Sequence, residues 1–121
     1  MIQAMEAVRE PFNVNRLAQV AACAALADRA FLDRTRRLAK QGREYLNAEL
    51  QRLGLRVVPS VTNFLLVAVG ARASQIARGL LEQGVIVREM SAWHLDGYLR
   101  VTIGTMPENR RFIRALKSCL K

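Results

Sequence analysis

The hydrophobic pattern of this chain changes period at Gly54, and this change limits the folds that the chain can adopt. Before Gly54, apolar residues recur at spacings of three, four and seven, which predicts an amphipathic helix that Gly42 interrupts with a bend. The stripe consists of Phe31, Thr35, Leu38, Tyr45, Leu46, Leu50 and Leu53. After Gly54 the apolar segments are short, as is typical of strands. The predicted strands cover about residues 55–58, 63–69, 85–88 and 98–103.

Capping residues place the predicted helices along the chain. Asn15 is a suitable N-cap for an alanine-rich helix, which we expect to be well packed on one side because its side chains are small. Thr105 and Glu108 have the spacing of a capping box at the start of the last helix. The predicted helices cover about residues 16–27, 29–53, 73–83 and 106–119.

The element order α-α-β-β-α-β-β-α predicts an α+β fold, in which helices pack on a small sheet of three to four strands in two layers. Residues 63–69 form a nearly continuous apolar run, which predicts a strand buried on both faces. Residues 1–14 are interpreted as an irregular lead-in, and residues 15–121 as the domain itself.

The length of 121 residues favours one domain. No window has the roughly 18–20 continuous apolar residues of a membrane-spanning helix, and the first residues lack the pattern of a signal peptide. We therefore expect a cytoplasmic protein with no membrane partner. Cys23 and Cys119 have no CxxC spacing and no companion histidines, so a metal site is not expected.

A formal charge of +9 suggests a polyanionic partner. The basic run between Arg34 and Arg43 is interpreted either as a solvated helix face or as a nucleic-acid surface. It is not interleaved with aromatic residues, and no helix-turn-helix or RNP-like motif is present, so the solvated face is favoured. A basic, non-catalytic binding module for nucleic acid or a partner protein is the alternative function.

Three polar residues are candidates for a binding site. Arg88 and Arg100 lie at or within apolar strands, where a guanidinium can bind a carboxylate or phosphate with two hydrogen bonds. Both can instead point outward into water. Asn63 precedes an apolar strand and is either a turn residue or a polar contact at a cleft. The single histidine, His94, lies in a loop without a catalytic partner.

Several segments together resemble the histidinol-phosphate aminotransferases, a branch of the fold-type I (class I and II) aminotransferases. Residues 9–15 (REPFNVN) and 18–22 (AQVAA) resemble one segment of these enzymes. Residues 59–64 (PSVTNF) resemble the start of a strand in their small domain. Residues 84–88 (GVIVR) and 99–105 (LRVTIGT), followed by Glu108 and Asn109, complete the series. These motifs occur in the family order over nearly the whole chain.

The resemblance implies the C-terminal small domain of a pyridoxal-phosphate enzyme of histidine biosynthesis. Such enzymes transfer an amino group between glutamate and imidazole-acetol phosphate, and they work as homodimers. Arg100 matches a family arginine that holds the anionic group of the substrate, and Arg88 matches a neighbouring one. For Asn63 the resemblance leaves the role open.

The resemblance covers roughly the last third of such an enzyme. In the family, the lysine that binds the cofactor lies in a large domain before this segment. The three lysines here, Lys40, Lys117 and Lys121, are not in the corresponding context. We therefore expect no catalytic or cofactor-binding residue in this chain, no pyridoxal phosphate bound to it alone, and no activity without the large domain.

Overall fold

The computed structural model describes residues 1–8 and 12–121, and it divides into two compact units. The first unit comprises Met1–Arg34 and the second Thr35–Lys121. The expected boundary at residue 15, between a lead-in and the domain itself, stays a prediction. The predicted α+β class is confirmed, with helices and a four-stranded antiparallel sheet.

The first unit contains α1 (Ile2–Val8) and α2 (Arg16–Ala27). Asn15 caps α2, because its side-chain oxygen accepts a hydrogen bond of 2.9 Å from the amide of Ala18. The expected packing of α2 on one side is wrong, since this helix has no buried residue and Leu17 is 81% exposed. An apolar helix is buried only where another apolar surface covers it, and the described residues of this unit provide none.

The long helix α3 spans Arg29–Arg52 and runs without interruption through Gly42. Gly42 is buried, and a Cβ atom there would lie 2.9 Å from Nδ2 of Asn109 and in closer contact still with a methyl of Ile103. The glycine is therefore explained by a close approach to its neighbours, not by the expected bend.

The sheet consists of β1 (Arg56–Val58), β2 (Phe64–Ala68), β3 (Arg88–Glu89) and β4 (Tyr98–Thr102). The strand order is β1-β2-β4-β3, and every neighbouring pair is antiparallel.

The third strand differs from the prediction, which covered residues 85–88. The structure pairs only Arg88 and Glu89 with β4. The amide of Val85 instead donates to the carbonyl of Leu80 at the end of the preceding helix, so this part of the segment is not available to the ladder.

Three helices cover one face of the sheet: α3, α4 (Ala73–Glu82) and α5 (Met106–Cys119). In β2, Leu65 and Val67 are buried, whereas Phe64 is 36% exposed. The expected burial on both faces is therefore wrong, because the helices cover only one of them. The core consists of Leu46, Leu50, Leu65, Val67, Ala73, Ile76, Leu80, Leu99, Val101, Ile103, Phe112, Ile113, Ala115 and Leu116.

The other side of the sheet is called the open face below. Side chains alternate along a strand, and directly paired residues share a face, so the registers define its members. They are Arg56, Val58, Phe64, Leu66, Ala68, Arg88, Tyr98, Arg100 and Thr102.

Candidate anion-binding site

The two candidate arginines face each other across neighbouring strands of the open face. Arg88 in β3 is the direct register partner of Arg100 in β4. Two like charges in directly opposite positions repel each other, so this arrangement is most stable when an anion lies between them. Within residues 1–8 and 12–121, neither guanidinium forms an ion pair with a carboxylate. The structure thus brings together the two arginines that the sequence singled out.

Each arginine of this pair lies over an aromatic ring. The Cζ atom of Arg88 is 5.2 Å from the ring centroid of Trp93, and that of Arg100 is 5.5 Å from the ring of Phe64. Contact with a ring face stabilises a guanidinium without using its N–H donors. Those donors stay available to a ligand. A groove of about 420 Å³ beside the pair is lined by Ile86, Val87, Arg88, Glu89, Arg100 and Thr102.

A third arginine, Arg56 in β1, lies on the open face at the register level of Tyr98, two residues from the level of Arg100. Arg56 donates a hydrogen bond to the hydroxyl of Tyr98, and its guanidinium is 5.9 Å from the ring centroid of that tyrosine. The sequence interpretation missed Arg56 and Tyr98, as it missed the aromatic partners of the arginine pair. For Tyr98, the available signal was its alternation with Leu99 and Arg100 in one strand.

Asn63 is not brought to the arginine pair. Strand alternation assigns it to the face of Leu65 and Val67, opposite the open face. Its carbonyl accepts a hydrogen bond of 2.8 Å from the amide of Ile103, and its side chain is exposed. Asn63 thus lies at a bend just before β2, and its backbone extends the pairing of β2 with β4. Its role, as a turn residue or as a polar contact at a cleft, stays a prediction.

The basic run of α3 is partly used inside the chain. Arg34 lies 5.3 Å from the ring centroid of Phe31, and Arg43 donates a hydrogen bond of 2.6 Å to the carbonyl of Thr62. Nothing in these contacts favours a nucleic-acid surface, and that alternative stays a prediction.

The residues described do not fit a site for pyridoxal phosphate, which needs a lysine beside the substrate-binding groups. Lys40 is exposed in α3, and the amine of Lys117 in α5 lies 3.6 Å from a carboxylate oxygen of Glu49. Both helices belong to the layer on the other side of the sheet. Among the same residues, no cluster of His, Cys, Asp and Glu could hold a metal ion, and no helix is long and apolar enough to cross a membrane.

Comparison with known proteins identifies the family. The family model for aminotransferase class I and II matches residues 1–116. The chain belongs to the class I and II aminotransferases. A histidinol-phosphate aminotransferase of Moorella thermoacetica is 46% identical over 120 residues, which are 99% of this chain and 31% of that protein. This aminotransferase chain thus spans about a third of the length of the relatives it matches.

Solved structures of aminotransferases show the same fold. The histidinol-phosphate aminotransferase of Clostridium acetobutylicum matches with a TM-score of 0.80 at 26% identity, over 98% of this chain and 37% of that one. The enzyme of Sinorhizobium meliloti, solved in complex with pyridoxal 5′-phosphate, matches with a TM-score of 0.74 at 28% identity, over 98% of this chain and 33% of that one. Arg9, Glu10 and Pro11, which open the first family-like segment, lie outside the described residues.

Proposed function

We propose that this chain is the C-terminal small domain of a histidinol-phosphate aminotransferase and that Arg88 and Arg100 hold the anionic group of its substrate. The observation that carries the proposal is the register of β3 with β4, which makes the two arginines direct partners on the open face. Among the residues that the structure describes, neither arginine forms an ion pair with a carboxylate. Relatives of 40–48% identity that carry this enzyme's name support the choice of reaction.

The chemistry of this pair suits a phosphate or carboxylate. A guanidinium presents its donors in a fixed, planar fork, so two of them can bind one phosphate from two sides. Such contacts bind and orient the substrate; they do not themselves transfer the amino group. In the proposed reaction, that group moves between glutamate and imidazole-acetol phosphate.

The remaining parts of the enzyme are assigned to the rest of the parent protein. The cofactor, pyridoxal 5′-phosphate, and the lysine that holds it belong in this proposal to a large domain that packs with the chain. The pyridoxal-phosphate complex of the Sinorhizobium meliloti enzyme supports this division, because that protein is about three times as long. The proposal keeps the cytoplasmic location expected from the sequence and the homodimer that the resemblance implies, and it makes the chain inactive alone.

The test is a titration of the chain with inorganic phosphate, followed by NMR at the arginine Nε–Hε groups. Arg100→Ala and Arg88→Ala should each weaken phosphate binding about tenfold or more, because a hydrogen bond to a charged group contributes about 1.5–3 kcal/mol. Arg78→Ala, which removes an exposed arginine of α4 in the helix layer, is the matched control and should leave binding unchanged. Equal effects of all three substitutions would show that phosphate binds only to general positive charge and would contradict the proposal.

A further inference from the structure

The Trp93 side chain is half exposed in a short loop between β3 and β4, although a tryptophan gains most from full burial. Its ring lies 5.2 Å from Cζ of Arg88, and no other side-chain partner of that arginine occurs within the described part of the chain. Arg88 is itself exposed and lies in an edge strand. Among the described residues, the ring is therefore the side-chain contact that holds Arg88 beside Arg100.

The loop that carries this ring is fixed by hydrogen bonds to its own backbone. The carboxylate of Glu89 accepts from the amide of Ser91 at 3.1 Å and from its hydroxyl at 2.5 Å. The amide of Trp93 donates to the carbonyl of Met90 at 3.0 Å, and Met90 is buried. These bonds fix the backbone that carries the indole, so the loop is formed before any ligand arrives.

The type of contact matters for binding. A carboxylate partner would hold Arg88 in place but would occupy its N–H donors and cancel its charge. An aromatic face attracts the cation and leaves the edge of the guanidinium plane free for an anion. Glu89, the neighbouring carboxylate, is engaged with Ser91, so it does not compete for the arginine.

We infer that Trp93 is a positioning residue, which holds Arg88 over its ring so that the guanidinium meets the substrate anion together with Arg100. The inference rests on the proposed function. An exposed contact of this kind corresponds to a two- to fivefold change in affinity. Loss of the ring should therefore weaken anion binding by about that factor, whereas loss of the arginine itself removes the binding group.

The experiment compares Trp93→Leu, which keeps an apolar side chain, with Trp93→Phe, which keeps a ring. In wild-type chain, the ring current of Trp93 should displace the Nε–Hε signal of Arg88. The displacement should persist in part in Trp93→Phe and vanish in Trp93→Leu. Titration with inorganic phosphate should give two- to fivefold weaker binding for Trp93→Leu and nearly wild-type binding for Trp93→Phe.

Phe31→Leu is the matched control, because Phe31 is similarly exposed and also contacts an arginine, Arg34, at 5.3 Å. It should leave phosphate binding unchanged. If Arg88→Ala weakens binding but Trp93→Leu does not, the inference is overturned and the proposed site stands. If neither Arg88→Ala nor Arg100→Ala changes binding, or wild-type chain binds no phosphate, the proposed site fails and the inference fails with it.

Discussion

Replacement of Gly42 by alanine tests how closely α3 approaches two neighbours, Ile103 after β4 and Asn109 in α5. A Cβ at this position would lie 2.9 Å from Nδ2 of Asn109 and in closer contact with a methyl group of Ile103. Neither neighbour can move easily. Ile103 is only 6% exposed, and the Asn109 amide is bound at both ends, accepting from Gly104 N at 3.0 Å and donating to Gly104 O at 2.9 Å.

Two opposing contributions decide the sign of the effect. Alanine in a helix interior is about 1 kcal/mol more favourable than glycine. Insertion of a methyl group into a packed core costs about 1–3 kcal/mol. Here the methyl group would have to push aside two neighbours that are held firmly in place. Displacement of Asn109 would also weaken two hydrogen bonds of about 1 kcal/mol each. We therefore expect Gly42→Ala to lower the free energy of unfolding by about 1–2 kcal/mol.

Thermal and urea unfolding, followed by far-UV circular dichroism, measure this change. For a domain of 60–100 residues, the range in which the second unit (Thr35–Lys121) falls, a loss of 1 kcal/mol lowers the Tm by roughly 4–8 °C. Gly79→Ala is the matched control, since Gly79 also lies inside a helix and its Cβ would meet only Sγ of Cys119, at 3.1 Å. That side chain is partly exposed and can rotate away, so this variant should be near neutral or more stable. A Gly42→Ala variant as stable as the Gly79→Ala variant would refute the argument.

Two further predictions concern the backbone and pH. His94 has φ of 57°, a left-handed conformation that costs most residues about 1 kcal/mol but costs glycine little. His94→Gly should therefore raise the free energy of unfolding, measured in urea, by a few tenths to about 1 kcal/mol. The control Asp96→Gly, at a position of negative φ, should lower it. Hydrogen bonds from the side chain and amide of Thr105 hold the pKa of the Glu108 carboxyl below its ordinary value near 4.5. Its stabilising effect is therefore complete above that value and is lost as pH falls through the lowered pKa. The Tm difference between wild type and Glu108→Gln should shrink on acidification, and a constant difference would count against this explanation.

Local sequence signals were sufficient where one short segment determines the structure. Asn15 begins α2 and Thr105 begins α5, because each cap needs only the amides and side chains of the next three residues. The sequence alone left both arginines either bound to an anion or pointing into water, and the resemblance favoured binding. The strand register places both on the open face as direct partners, and their role in binding stays a prediction.

Features that depend on distant residues could not be predicted in the same way. The bend expected at Gly42 is absent because the reason for the glycine lies in Ile103 and Asn109, more than 60 residues away. The apolar composition of residues 63–69 suggested burial on both faces, but it cannot show which face the helices of this chain cover. The stacking of Trp93 on Arg88 likewise depends on how a loop folds back on its strand.

The sheet itself links stability to the proposed site. In β4, Leu99 and Val101 enter the core, so Arg100 between them must lie on the open face. A shift of the strand by one residue would move both apolar side chains out of the core and the arginine into it, at a cost in apolar burial and in desolvation of a charge. The core thus fixes the register that sets Arg100 opposite Arg88. Packing on one face of the sheet positions the binding groups on the other.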